Sequence, residues 1–209
     1  MFLLSNEKYE VEYVEFLINF NSLRDYFECH ELLEEIWMEE YNLSIKKAYQ
    51  ALIQFAVGFY HWRRNNNIGA TKTFIKCLKN MELSKDALYE LGLDYHSLVD
   101  QINTSLKEIE EGLPYHSVDI VMNDDLTTLY SDMASMINVP LRQDSNLLDT
   151  FNVNKHALRK LDDAKIKLVV SYMEHFNLSL PSPYVSNTSY DELKIKIDQA
   201  IKSNQPIQL

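Results

Sequence analysis

The chain has 209 residues, and 31 acidic against 20 basic side chains give it a formal net charge of −11. That length suits one domain, or one domain with an appendage, and provides a core without disulfides. The charge disfavours non-specific binding to nucleic acid or anionic membranes, because the repulsion is long-ranged.

Only four glycines occur, at 58, 69, 92 and 112. They are too few for a sandwich or barrel, and no Gly-rich phosphate loop can be built from them. Cys29 and Cys77 lie far apart with no C-x-x-C pair, a usage that fits a reducing compartment. The opening MFLLSNEKYEVEY has too short an apolar run for a signal peptide. No stretch approaches the ~20 apolar residues needed to cross a bilayer. The expectation is a soluble cytoplasmic protein with no nucleic-acid and no membrane partner.

The hydrophobic period is helical almost throughout. A first helix is predicted over 7–20, with Tyr9, Tyr13, Phe16, Leu17 and Phe20 on its inner face. A second is predicted over 22–41. A third over 45–64 takes Ser44 as its N-cap, and a fourth over 68–82 turns Phe74, Ile75 and Leu78 inward. LGLD breaks the chain before a fifth helix over 94–111, which Gly112 terminates. VDIVM reads as a short strand or an extended segment. Asn123 caps a helix through Met136, and residues 138–152 read as a linker. A long amphipathic helix is expected over 153–177, LPSPY as a break, and Ser189 with Glu192 as a capping box for a last helix. The fold class is all-α: a helical bundle over 1–137, then a linker and C-terminal helices over 138–209. Truncation at Val139 is expected to leave a cooperative helical protein.

Two helices carry polar residues where a core is normally apolar. On a wheel of residues 23–41, one face collects Leu23, Tyr26, Phe27, His30, Leu33, Glu34, Trp37 and Tyr41. The opposite face collects Glu28, Glu31, Glu35 and Glu39, a solvated acidic stripe. The third helix is apolar over most of its circumference except for a narrow stripe of Gln50, Gln54 and His61. The short connection at 42–44 makes the two helices antiparallel neighbours, so that Gln54 and His61 face His30 and Glu34. Imidazole and carboxylate at i and i+4 suit a divalent ion such as zinc, with His61 as a third ligand and Gln54 orienting the site. Equally, His30 and Glu34 form a metal-free network that fixes packing. H-E-L-L-E at 30–34 is not a metalloprotease motif, because Glu34 stands where a second His is required. Arg63 and Arg64 close the third helix and complement its dipole, or clamp an anion beside His61. His96, His116, His156 and His175 read as surface or packing residues.

The stretch FNSLRDYFECHELLEEIW, followed by ALIQFAVGFYHWRRNNNIGA, resembles the domain-of-unknown-function 309 family of bacteria and archaea. Its H-x-x-x-E-x-x-W/Y hallmark falls on His30, Glu34 and Trp37. Its second block falls on Leu52, Ile53, Gln54, His61, Gly69 and Ala70. The likeness spans about residues 16–83, and NKHALRK at 154–160 adds a looser echo of longer members. The resemblance implies an all-helical fold and a metal at His30 and Glu34, and it imports no reaction. Two classes of function stand: a metal- or ligand-binding helical domain, with enzyme activity open and the small-molecule ligand unnamed, or a helical scaffold that binds protein partners or itself and whose polar cluster is structural.

Overall fold

The computed structural model describes residues 8–158, 161, 163–176, 178, 180 and 182–208. The elements are α1 (Val11–Ile18), α2 (Tyr26–Glu39), α3 (Leu43–Arg63), α4 (Asn67–Leu83), α5 (Lys85–Glu90), α6 (Tyr95–Glu110), α7 (Asp124–Met136), α8 (Thr150–Leu158), α9 (Asp163–Phe176), α10 (Ser182–Asn187) and α11 (Tyr190–Ser203). The protein is all-α. Among the described residues no strand occurs, and one isolated antiparallel bridge joins Leu93 to Met122. The chain divides into two compact units between Ser145 and Asn146.

α3 organises the first unit. Ala48, Tyr49, Leu52, Phe55, Phe59 and Trp62 are all buried, which takes neighbours on more than one side. α4 packs on it most extensively and α2 next. The α2–α3 connection is short, so α3 folds back along α2. The cap is Asn42 rather than Ser44: its Oδ1 accepts from the Ser44 amide at 2.9 Å, and the helix starts two residues earlier than its sequence suggests. Gly58 permits the close approach of α4. A Cβ there would stand 2.3 Å from the buried Phe74 ring, which itself meets Phe59 edge-on at 5.0 Å.

α1 does not simply stop. It widens into a π-helical turn over Asn19–Leu23, and Arg24 at φ 55° ends it. The turn points Asn21 and Ser22 into the core. Asn21 then satisfies both backbone groups of Ile120: its Nδ2 donates to the carbonyl at 3.1 Å and its Oδ1 accepts from the amide at 2.8 Å. VDIVM is thereby an extended segment, held by Asn21 at Ile120 and by the single bridge from Met122 to Leu93, and not a strand of a sheet.

Several local expectations change. α5 fills the interval between the expected fourth helix and the LGLD break. Ile75, expected inward, is 58 % exposed, because the α4 face that meets α3 is centred on Phe74 and Cys77. The expected helix over 153–177 is two, α8 and α9, and α10 begins inside the expected break at LPSPY and runs on to Asn187. Gly112 (φ 71°) ends α6, and Ser189 caps α11. Residues 139–145, expected as linker, belong with the first unit. Ser22 and Tyr130 hydroxyls gather on the Leu141 carbonyl, and Arg24 Nε donates to the Gln143 carbonyl at 2.6 Å. The second unit has its own core, including Leu158, Val169, Tyr172, Leu193 and Ile197.

Candidate metal centre

α2 begins at Asp25, whose side chain accepts from the Glu28 amide at 3.0 Å. Tyr26, Phe27, Cys29 and Leu33 are its buried side chains. That places the inward direction near Cys29 and Leu33 and leaves His30 and Glu34 at the rim of the interface, not at the centre that the helical wheel gives them. Leu23 and Tyr41, expected on the inner face, are 38 % and 95 % exposed, since both lie beyond the helix ends.

At that rim three side chains converge. His30 Nδ1 lies 2.9 Å from Glu31 Oε1, and His30 Nε2 lies 3.6 Å from Glu34 Oε2. Their side chains are 31 %, 42 % and 39 % exposed, so all three are open to solvent on one side. An ionised carboxylate only accepts, so the short contact puts a proton on Nδ1, and in the neutral imidazole the lone pair then sits on Nε2, on the side of Glu34. Two donors that share a tetrahedral ion at about 2.0–2.1 Å stand roughly 3.3 Å apart. The 3.6 Å between Nε2 and Oε2 is close to that span, and a carboxylate holding the far ring nitrogen is the usual support for a metal-ligating His. The residues present therefore fit a divalent ion.

Among the described residues, the group of three potential ligands gathered within 4.8 Å of one another is His30, Glu31 and Glu34. His61 is not in this set. Its Nδ1 pairs with the Asn66 amide nitrogen at 3.1 Å, at the turn into α4. Gln54, expected to orient the site, accepts from Asn80 of α4 at 2.8 Å, and Gln50 accepts from Lys47 at 3.0 Å. Trp37 packs against the core edge with the Lys46 ammonium 5.2 Å above its ring, closing the hairpin beside the cluster. Of the acidic stripe, Glu35 and Glu39 are exposed, whereas Glu28 and Glu31 are half-buried. Cys29 and Cys77 are buried and donate to the carbonyls of Phe16 and Ala51. Burial pushes both thiols well up, so neither is offered as a thiolate.

Arg63 and Arg64 serve different surroundings. Arg63 is buried, donates to the Arg24 carbonyl at 2.6 Å and to Ser145 Oγ at 3.2 Å, and lies over the Tyr26 ring. Arg64 donates to the Tyr60 hydroxyl at 2.9 Å. Arg63 thus ties the α3 end to the α1–α2 junction and to Ser145, while Arg64 meets a tyrosine of its own helix.

The chain is 32 % identical over 156 residues to a protein of Bacillus subtilis (strain 168) called "Uncharacterized protein YpuF", an alignment covering 74 % of this chain and 90 % of that protein. The family model described as "Domain of unknown function (DUF309)" matches residues 13–73. The chain belongs to this family. No solved structure matches it. The family-matched stretch runs from within α1 to within α4 and so contains the whole His30, Glu31 and Glu34 cluster.

A second polar constellation escaped sequence reasoning, and most of its partners lie outside the family-matched stretch. Arg24 donates to the Phe20 and Val118 carbonyls and to Asp119 Oδ1 at 2.5 Å. The Tyr26 and Tyr115 hydroxyls lie 2.6 Å apart, and Tyr115 donates to Ser145 at 3.1 Å. This network staples residues 115–120 and 141–145 to the α1–α2 junction. Helical periodicity carries no signal for it, because each pair is set by tertiary approach.

Proposed function

We propose that the rim of α2 is a divalent-cation seat, with zinc the ion its nitrogen and oxygen donors suit best. His30 Nε2 and Glu34 Oε2 are the ligands, and Glu31 fixes the imidazole tautomer and orientation. The observation that carries the reading is the convergence of three half-buried side chains within 4.8 Å at the rim of one helix. The remaining coordination positions face solvent, where a bound ion would present a Lewis-acidic centre to water or to a small oxygen-bearing ligand. No reaction is assigned to it. Two buried free cysteines support a reducing, cytoplasmic setting.

A second reading has its own support. The 2.9 Å contact to Glu31 already satisfies His30 without an ion, so the cluster also works as a purely structural clasp in a scaffold. Calorimetric titration of tag-free protein with zinc separates the two. A cation seat gives one saturable site that is lost in His30→Ala and Glu34→Gln and weakened in Glu31→Gln. A structural clasp gives no saturable heat, and chelator leaves its melting temperature unchanged.

A further inference from the structure

The outer face of α4 has no counterpart inside its own unit. Ile68, Lys72, Ile75, Lys76, Lys79 and Leu83 fall within about 100° of arc and extend roughly 22 Å along the helix. Ile68, Ile75 and Leu83 are 73 %, 58 % and 62 % exposed, and the three lysines are exposed with them. α4 carries no acidic residue before Glu82, on a chain whose net charge is −11. Among the described residues no ion pair reaches Lys72, Lys76 or Lys79. Single exposed aliphatic residues are ordinary. Three on one stripe, interleaved with three unneutralised cations, make a surface of defined chemistry.

The complementary surface is on the same chain. Where α2 ends and α3 begins, Met38, Tyr41 and Leu43 are 62 %, 95 % and 80 % exposed, beside exposed Glu35 and Glu39. Carboxylates are crowded there: burial raises the Glu10 carboxyl, and the charges of Glu12, Glu40 and Glu39 raise it further. This end of the hairpin therefore offers apolar side chains set among an excess of carboxylates, with the Lys46 ammonium turned back onto the Met38 and Glu40 carbonyls and Lys47 onto Gln50, and α4 offers apolar side chains set among cations. α2 packs on α1 and α3, and α4 on α3, α5 and α6, and the residues named on both remain exposed.

We propose that the occupant of the α4 face is a second copy of this chain, seated through the acidic, apolar end of its α2–α3 hairpin. Lysine and aliphatic residues alternate within one arc, so there is no separate apolar face to enter a lipid interface. Phosphates would leave the three aliphatic side chains unused. Two different patches meet, so the contact is head-to-tail and a pair keeps one free patch of each kind, on different copies. The net charge of the chain opposes association at long range, and salt screens the local attraction, which makes the assembly weak and strongest at low ionic strength.

Sedimentation velocity of the full chain across a protein concentration series, at low and at high salt, tests this. The expected result is a weight-average mass that rises with concentration at low salt and falls back at high salt. Lys72→Glu/Lys76→Glu/Lys79→Glu should be monomeric, and so should Glu35→Lys/Glu39→Lys. Mixing these two variants should restore association, because the reversed faces then match each other. Circular dichroism of each variant establishes that it is folded. A wild type that stays monomeric at low salt, an association that survives in both variants, or a mixture that does not associate overturns the proposal. A monomer that instead floats with phosphatidylserine vesicles, and not with phosphatidylcholine vesicles, overturns it too and assigns the lysines to a lipid surface.

Discussion

Gly58→Ala measures how tightly α3 and α4 are locked. The added Cβ falls 2.3 Å from Cε1 and 2.5 Å from Cδ1 of Phe74, roughly an ångström inside ordinary contact, which begins near 3.4 Å. Phe74 is fully buried and braced edge-on against Phe59, so the ring cannot swing into solvent. Either the ring leaves its rotamer or the helices part, at a cost of about 1–3 kcal/mol. Replacing Gly by Ala within a helix returns about 1 kcal/mol. The clash outweighs that gain, and the net effect is destabilisation by up to about 2 kcal/mol. In a Phe74→Leu background the flat ring is gone, and the same substitution should approach its intrinsic stabilising value. Urea unfolding followed by circular dichroism gives all four corners of the cycle. A Gly58→Ala change that stabilises the wild type, or that has equal effects in the two backgrounds, would refute the close approach.

Two further expectations concern the polar staples and the tyrosines. A chain ending at Ser145 should melt cooperatively, whereas one ending at Val139 should melt lower or aggregate. The shorter chain lacks the Leu141 and Gln143 carbonyls and the Ser145 hydroxyl, and each lost bond from a charged donor costs about 1.5–3 kcal/mol. Equal melting temperatures for the two would show that residues 140–145 contribute nothing. Tyr95 donates to Glu82 Oε2 at 2.5 Å, and this hydrogen bond, with burial, pushes its hydroxyl up to about 12. A group that holds its proton more tightly when folded stabilises fully below the unfolded value near 10, and that stability is lost as pH rises through about 10 to 12. Tyr95→Phe should therefore lower the melting temperature at neutral pH, with the gap to wild type closing on the alkaline side. A gap that stays constant across that range would contradict the assignment.

The parts of the fold visible in the sequence are those set by local pattern. The largely apolar α3, the glycine that ends α6 and the Asn123 and Ser189 caps each depend on residues within one or two turns. The His30 and Glu34 pair is legible for the same reason, since i and i+4 meet on any helix. Glu31 is misplaced by a wheel because a wheel locates Cβ atoms, and a long carboxylate side chain at i+1 reaches back to the imidazole. Gln54 and His61 have a different neighbour from the one expected. A helix buried on several sides packs against two partners, and periodicity alone does not say which stripe meets which; Gln54 pairs with Asn80 of α4. The π turn and Arg24 are invisible in the sequence because their reason lies at Asp119 and Ile120, far along the chain.

A cation seat at His30 and Glu34 of α2 is tested most directly by titrating tag-free wild-type protein and His30→Ala with zinc in one calorimeter cell, under one buffer. The expected result is a single saturable site in the wild type, its loss in His30→Ala, and a wild-type melting temperature that rises with zinc and returns with chelator. Identical, non-saturating heats for the two proteins, with a melting temperature indifferent to zinc and chelator, would contradict it.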